Sequence, residues 1–215
     1  MKMMTLTNEY CEITLYVDTT YTIDSADNVH YDEVFNPDKY DVNDEYSALV
    51  VNFDWFDRQK SIVLISFLYT DYSDFAVLEG DLLTVMQEDL FTQFNVRDGS
   101  IIRSVRISCY GCNFGIYRVT GGYIIYGELE VFMLDEDFQR KWEFWGSDIF
   151  ITNSSHIPFE LCEKSIKLYD WEDNYYELDY NGKLIGEKSQ SEGYATSQVI
   201  CWDNALEKVI NDLLQ

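Results

Sequence analysis

The chain has 215 residues, of which 47% are hydrophobic and 16% aromatic, so it is long enough to bury the core of an ordinary all-β domain. It carries 39 acidic and 15 basic residues, for a formal net charge of −24. A field of this sign repels phosphate backbones and anionic lipids, so we expect neither direct nucleic-acid binding nor attachment to a membrane surface. The same field attracts basic proteins, although acidity that serves only solubility is an equal alternative.

Cysteine usage and hydropathy indicate the compartment. No apolar run approaches the ~20 residues of a membrane span, and the amino terminus lacks the pattern of an export signal. The cysteines are odd in number and scattered, which fits reduced thiols better than a disulfide framework: Cys11, Cys109, Cys112, Cys162 and Cys201. We therefore expect a cytoplasmic protein.

The amino-terminal part combines strands with an acidic segment. Glu9 to Val17 alternates and predicts an opening strand. Residues 18–46 set many acids and tyrosines against a single lysine, Lys39, which indicates a long acidic loop or two weakly specified edge strands. The alternative is a solvated connection that its tyrosines fold over the core. Residues 47–56 and 59–69 predict two strong strands, and the second is apolar enough to be covered on both faces.

The stretch from Gly122 to Ile151 is the clearest indicator of the fold class. Tyr123 to Tyr126 predicts a strand that Gly127 interrupts, and apolar positions from 129 to 134 predict the next one. Residues 135–137 predict a polar corner, after which residues 142–145 predict a third strand. Too few positions follow a helical period for a helix.

A similar pattern recurs along the chain. Downstream, Asn181-Gly182 lies between alternating strands and predicts a hairpin with a type I′ turn. If Gly99, Phe138 and Gly182 occupy equivalent corners, they lie about 39 and about 44 residues apart, close to the ~40–45 residues of one propeller blade. The sequence therefore predicts blade-like antiparallel repeats.

The segments around Leu134-Asp135 and from Leu178 to Ile185 resemble the outer strands of propeller blades of the PQQ-dehydrogenase type, in which an aspartate precedes a Gly-Lys corner and an apolar strand follows. The combination of Gly127-Glu128, Trp142 and residues 146–150 is similar to uncharacterised bacterial proteins. The resemblance spans residues 75–187 and implies a partial β-propeller or a two-sheet sandwich. It carries no cofactor site to this chain.

The expected architecture is one all-β domain over residues 1–215. Residues 1–58 would hold the first strands and the acidic loop, and residues 59–187 the blade-like repeats. Residues 197–215 place apolar side chains near helical spacing, which predicts one amphipathic helix capped by Asp203 or, with an earlier start, by Ser197.

Residue types that carry chemistry do not form a convincing catalytic or metal-binding set. Cys109 and Cys112 make a single CxxC without the further ligands of a structural zinc site. His156, within Ser154–Pro158, is most simply a turn residue. The neighbouring carboxylates are too numerous for any group to be preferred as acid and base: Glu128 with Glu130, Asp135 with Asp137, and Asp170 with Glu172 and Asp173. We expect every acidic pair to lie on a solvated turn, with the group around Asp170 at a hairpin tip. We expect no cofactor, no metal and no catalytic residue.

A binding function is therefore our first hypothesis, and an enzyme is the less favoured one. The protein would act as an acidic immunity or inhibitor protein that neutralises a basic toxin or nucleic-acid enzyme. A hydrolase using a carboxylate pair, and a scaffold subunit of a larger assembly, are the alternatives. Acids of the 18–46 segment would steer the partner and tyrosines would anchor it. The predicted partner-binding residues are Asp32, Glu33, Asp38, Asp41, Asp44, Glu45, Tyr31 and Tyr40.

Overall fold

A computed structural model describes residues 3–68 and 74–189 and the backbone of residues 198–201, and within them it contains eighteen β-strands and no helix. The chain divides into two compact units, Met1–Ser108 and Cys109–Gln215. The expectation of one domain over the whole chain stays a prediction. No helix in the described part has the length and apolarity needed to cross a bilayer.

The first unit is built on a five-stranded sheet, sheet A. Its strands are β1 (Met3–Thr7), β2 (Cys11–Val17), β3 (Glu33–Phe35), β4 (Ser47–Trp55) and β5 (Arg58–Ser66). Their order is β1-β2-β4-β5-β3, with β3 parallel to β5 and the other pairs antiparallel. The predicted opening strand is β2, and the two strong strands are β4 and β5. Because these two pair, the boundary expected after residue 58 falls inside a hairpin.

Apolar side chains cover both faces of β4 and β5. Successive side chains of a strand point to opposite faces, which divides the buried residues into two sets. One set belongs to the main core of the unit: Leu49, Val51, Phe53, Ile62 and Leu64. The other set forms a second cluster on the opposite face, termed the outer face: Ala48, Val50, Val63 and Ile65. This confirms that β5 is covered on both sides.

The other sheet of this unit, sheet C, is an antiparallel meander that shares the main core. Its strands are β6 (Ala76–Glu79), β7 (Leu82–Gln87), β8 (Leu90–Asn95) and β9 (Ser100–Arg106). Leu83 and Phe94 pack into the same core as Phe53. The indole N–H of Trp55 donates a hydrogen bond of 2.9 Å to the carbonyl of Val96 and so ties the two sheets together.

The second unit contains sheets B and D. Sheet B has β10 (Asn113–Val119), β11 (Gly122–Gly127), β12 (Val131–Leu134), β13 (Arg140–Trp145) and β18 (Gln198–Cys201). Sheet D has β14 (Phe159–Leu161), β15 (Ile166–Tyr169), β16 (Tyr175–Leu178) and β17 (Leu184–Lys188). Strands β11 to β13 confirm the pattern predicted for Gly122 to Ile151.

A strand stands where the carboxy-terminal helix expected over 197–215 would begin. Residues 198–201 form β18, which pairs with β13, so a helix that begins after Ser197 is wrong. Ser197 and residues 202–215, including Asp203, lie outside the described residues.

The third turn is built alike in all three four-stranded meanders, β6–β9, β10–β13 and β14–β17. Gly99, Phe138 and Gly182 stand in these turns with φ angles of 64°, 62° and 78°. Beside each turn the register of the third and fourth strands shifts at a bulge. The three predicted corners are therefore equivalent, and the all-β fold with blade-like antiparallel repeats is confirmed.

The turn around Gly182 has a different geometry from the one predicted. Residues 179–183 connect β16 to β17, so the loop is longer than a two-residue type I′ hairpin. Only Gly182 of the Asn181-Gly182 pair has a positive φ. The Asp179 side chain instead accepts hydrogen bonds of 2.9 Å from the backbone N–H groups of Asn181 and Lys183. The hairpin was predicted correctly, whereas its turn type was wrong.

Candidate partner-binding surface

The segment 18–46, here termed the strap, lies against the outer face of sheet A. Its apolar and aromatic side chains cover the second hydrophobic cluster: Tyr21, Ile23, Tyr31, Tyr40 and Tyr46. The rings pair at centroid distances of 6.1 Å for Tyr21 with Tyr31 and 6.4 Å for Tyr40 with Tyr46. The strap is therefore held by burial of its own tyrosines, which is the alternative considered for this segment.

Polar contacts fix the underside of the strap. The Tyr31 hydroxyl donates a 2.7 Å hydrogen bond to Oδ2 of Asp18. Burial, followed by this hydrogen bond, raises the pKa of Tyr31 far above its ordinary value. Burial opposes ionisation of Asp18, but hydrogen bonds from Thr20 and Tyr31 prevail and lower its pKa. The hydroxyl of Tyr46 accepts the N–H of Ile23 at 3.0 Å.

Side chains that bond to nearby backbone groups set the turns of the strap. The Asn36 amide bonds both the N–H and the carbonyl of Tyr40, at 2.9 and 2.8 Å. Asp41 and Asp44 each accept one backbone N–H at 2.7 Å within a single turn. Such bonds specify local conformation, so the strap presents its charges in a defined arrangement.

The six predicted acids occupy different environments. Asp32 is exposed, and its Oδ2 accepts hydrogen bonds from the N–H and hydroxyl of Ser61 at 2.7 and 3.0 Å. These bonds lower the pKa of Asp32, so it is ionised at neutral pH. Glu33 pairs with Lys60 at 3.1 Å, and Asp38 pairs with Arg106. The remaining three are exposed and form no ion pair within the described residues: Asp41, Asp44 and Glu45.

The two predicted anchors, Tyr31 and Tyr40, are half-buried and pack onto the sheet. Packing onto the outer face uses ring surface that a partner would otherwise bind. Their contribution to partner binding stays a prediction, as does that of the six acids.

An open acidic cleft occupies the part of the outer face that the strap leaves uncovered. It has a volume of about 280 Å³, and its walls are Glu12, Thr14, Asn52, Asp54, Gln59 and Ser61, with Asp32 of the strap at one side. Glu12 on β2 is the direct cross-strand partner of Asp54 on β4. Like charges placed opposite each other destabilise a strand pair. The cleft as a whole is termed the outer-face cleft.

Nearby cations act on one acid of the outer-face cleft, because the charges of His30 and Lys60 contribute to the lowered pKa of Asp32. Within the described part of the chain, Glu12, Asp32 and Asp54 form no ion pair. Lys60 borders the cleft, but its ammonium group bonds Glu33 at 3.1 Å and the carbonyl of Gly99 at 2.9 Å. The arrangement would attract an inserted cationic side chain, because such a group would relieve the repulsion between Glu12 and Asp54.

The sequence did not single out Glu12 or Asp54. Each is a lone acid between buried apolar neighbours, and that alternation indicates an outward-facing side chain. Alternation does not specify which residues lie opposite each other, because strand register depends on distant parts of the chain. The facing pair therefore emerged only from the structure.

The CxxC residues stand just before β10 as reduced cysteines. Cys109 and Cys112 are half-buried, and the Asn113 side-chain amide donates a 3.2 Å hydrogen bond to Sγ of Cys109. Among the described residues no three His, Cys, Asp or Glu side chains are placed to hold a metal ion.

His156 stands in a serine, histidine and aspartate group that lacks the geometry of a nucleophilic triad. The Ser154 hydroxyl donates to Oδ1 of Asp173 at 2.6 Å. Nδ1 of His156 lies 3.2 Å from Ser154 Oγ and 3.3 Å from Asp173 Oδ1. A triad places serine and aspartate on opposite ring nitrogens, whereas here both approach the same one. The group holds a turn.

The carboxylate groups noted in the sequence are not all solvated, which corrects the expectation that each acidic pair lies on an exposed turn. Glu130 is fully buried, and Arg140 bonds it at 2.6 Å. Asp170 is also fully buried, so the solvated hairpin tip predicted around it is wrong. It accepts hydrogen bonds from the backbone of Glu172 and Asn174, the Asn174 amide and the Tyr176 hydroxyl. Because its carboxylate accepts these hydrogen bonds, Asp170 stabilises a turn and is not available as a general base.

Comparison with known proteins gives a limited result. No protein-family model matches the chain, and no curated protein matches it. Among solved structures it is similar to the crystal structure of BamB from Moraxella catarrhalis, with 8% sequence identity and a TM-score of 0.43. The match covers 87% of this chain and 63% of that one, so the chain spans less than two thirds of the length of BamB.

Proposed function

We propose that the protein is a non-enzymatic binding module for a basic protein partner. In the form we favour, it is an acidic immunity or inhibitor protein that neutralises a basic toxin or nucleic-acid enzyme. The observation that supports this most directly is the outer-face cleft, in which Glu12 and Asp54 face each other without a cation. A lysine or arginine from the partner would enter the cleft and pair with both carboxylates.

The strap supports the same function in two ways. Asp41, Asp44 and Glu45 add unpaired exposed charge, which would accelerate encounter with a basic surface. Its turns are fixed by internal hydrogen bonds, so little conformational entropy would be lost when the partner binds. The tyrosines would contribute mainly by holding this surface in place.

The resemblance to PQQ-type propeller blades belongs to the same proposal. Four-stranded meanders of this kind would serve as a rigid scaffold, arranged as a partial propeller or a sandwich, that carries the binding surface in the cytoplasm. A scaffold subunit of a larger assembly would use the same features, but no specific contact favours it over an inhibitor.

The hydrolase alternative has no comparable support. A general acid needs a carboxyl group whose pKa is raised. Where shifts are resolved among the described carboxylates, they are downward, as for Asp32, Asp98 and Glu177. Glu177 accepts bonds from Ser165 and Tyr175, which is the largest cause of its lowered pKa.

The test is capture of a partner from the native cell by immobilised protein, followed by a binding measurement with the purified partner. Wild type is compared with the double variant Glu12→Gln with Asp54→Asn. The control is Glu163→Gln with Glu172→Gln, which removes the same charge from exposed positions in the second unit.

We expect wild type and control to bind a basic protein, with an affinity that falls as salt increases, and the cleft variant to bind it at least about tenfold more weakly. The proposal is wrong if the captured protein is neutral or acidic, or if the cleft variant binds as tightly as the control.

A further inference from the structure

A second concave surface lies on sheet D, in the other unit. Ile166, Leu168, Tyr176 and Leu178 are fully buried on one face of this sheet. The opposite face forms a groove of about 720 Å³ whose walls include His156, Tyr169, Tyr175, Glu177, Gly186 and Lys188. This volume is within the ~300–1,000 Å³ of small-molecule sites. The surface is termed the sheet D groove.

A glycine creates the depth of this groove. Gly186 on β17 is the direct partner of Glu177 on β16, so a side chain at 186 would stand on the groove face. A Cβ there would lie 3.3 Å from Cβ of Glu177 and 3.7 Å from Cε1 of Tyr175. The φ of Gly186 is not in the left-handed region, so the backbone does not require glycine. Glycine inside a strand often marks a bulge or a close approach, and Gly186 stands beside the β16–β17 bulge, where its missing side chain also keeps the groove open.

Aromatic rings form one wall of the groove, and their positions are fixed. The rings of Tyr169 and Tyr175 have centroids 5.2 Å apart, and the His156 ring stacks on Tyr169 at 4.3 Å with an interplanar angle of 7°. The Tyr175 hydroxyl donates to Glu177 at 2.9 Å, and Asp173 holds His156 at 3.3 Å. These contacts hold the rings of the wall in place, and Lys188 lies over the Tyr175 ring with its ammonium nitrogen 6.0 Å from the ring centroid.

Charges of both signs surround the rings. The groove carries the carboxylates of Glu160, Asp173, Glu177 and Glu187 together with Lys167 and Lys188, and Lys167 pairs with Glu160 at 3.9 Å. The field of a protein with a net charge of −24 opposes an anionic ligand, and the lysines oppose a strongly cationic one. Mixed hydrogen-bonding groups beside aromatic rings suit a neutral ligand that has hydroxyl groups and apolar C–H faces.

We propose that the sheet D groove binds a short neutral oligosaccharide. The rings of Tyr169 and Tyr175 would pack against the C–H faces of a sugar, Glu177 would accept hydrogen bonds from its hydroxyls, and Lys188 would donate to its oxygens. Gly186 leaves the space for the sugar ring. This site does not depend on the binding of a basic protein at the outer-face cleft.

Isothermal titration calorimetry with maltotriose, cellotriose and triacetylchitotriose tests the proposal. The variants are Gly186→Val, which fills the groove with a residue that strands favour, and Tyr175→Ala, which removes the ring. The control is Ile185→Thr, since Ile185 is exposed on the same strand and does not line the groove.

At least one trisaccharide should bind wild type and the control in a manner that salt hardly changes, because the ligand is neutral. Both groove variants should bind it at least about tenfold more weakly while thermal unfolding shows them folded. The proposal fails if none of the three sugars binds at millimolar concentration, or if Gly186→Val and Tyr175→Ala bind as wild type does. Displacement of the sugar by an oligolysine peptide would also overturn it, since the groove would then be a cation site.

Discussion

Glu12 lies directly opposite Asp54 in the ladder between β2 and β4, and both carboxylates are exposed on the outer face of sheet A. This pairing places two like charges where a sheet ordinarily has complementary ones. A protein that retains such a pair gives up some stability locally, and a cationic ligand at this position would recover it.

Replacing Glu12 by lysine should raise the free energy of unfolding by about 0.2–1 kcal/mol, because a repulsive cross-strand pair becomes an attractive one. Urea unfolding measures the change, and the gain should shrink at high salt. The same substitution should weaken binding of a basic partner. A destabilised Glu12→Lys variant at low salt would show that the two carboxylates do not repel each other in solution.

Removing the unpaired charges of the strap should slow association with a basic partner while leaving the fold intact. The variant combines Asp41→Asn, Asp44→Asn and Glu45→Gln, so the side-chain acceptors that hold the turn remain. Association rates from stopped-flow mixing should fall and depend less on salt, because rim charges act mainly on encounter. Loop charges contribute little to stability, so thermal unfolding should be unchanged. A wild-type rate at low salt would assign these acids to solubility alone.

Two tyrosine hydroxyls, that of the buried Tyr176 and that of the half-buried Tyr175, should make the protein sensitive to alkali. Burial raises the pKa of Tyr176 to about 12, and its hydrogen bond to Asp170 contributes to the increase. Burial and the hydrogen bond to Glu177 likewise raise the pKa of Tyr175 to about 12. Below the unfolded value near 10 both states keep these protons. As the pH rises from about 10 to 12 the unfolded chain releases protons that the folded state retains, so the free energy of unfolding should fall.

Urea unfolding of wild type and Tyr176→Phe at several pH values between about 9 and 12 measures this dependence. The variant should be less stable at neutral pH, because Asp170 loses a donor, yet its stability should decline less steeply in alkali, by about 1–3 kcal/mol over the range. The matched control is Tyr110→Phe, whose hydroxyl belongs to an exposed residue of the same unit. Equal slopes in all three proteins would show that Tyr176 does not contribute.

The Asp170 turn should be among the most sensitive polar sites of the second unit. Asp170→Ala leaves four donors without their buried acceptor, including the hydroxyl of Tyr176 and the side-chain amide of Asn174, and should cost about 3–5 kcal/mol. Asp135→Ala is the control, since Asp135 bonds two backbone N–H groups in a more exposed turn. Its loss should cost about 0.5–2 kcal/mol. Similar losses in the two variants would mean that burial does not set the difference.

Local sequence chemistry explains which parts of the fold were predictable. Gly99, Phe138 and Gly182 were recognised as equivalent corners because a turn is set by residues a few positions apart. The apolar run of β5 indicated burial on both faces for the same reason. The outer-face cleft depends on strand register, and the burial of Asp170 depends on tertiary packing, neither of which a local pattern specifies.

The docking of the strap has a consequence for the order in which the first unit folds. Strands β4 and β5 are joined by a two-residue turn and can pair early, since closing a short loop costs little entropy. The strap precedes them in the chain, and its short strand β3 joins β5 in parallel, a non-local contact that gains nothing until the hairpin exists. We therefore expect the strap to close last and to open first, which makes it the least protected segment of the sheet in hydrogen exchange. Each opening would briefly expose Val50 and Val63 to water. The tyrosines that hold the acids in place therefore also protect the sheet against aggregation with other chains.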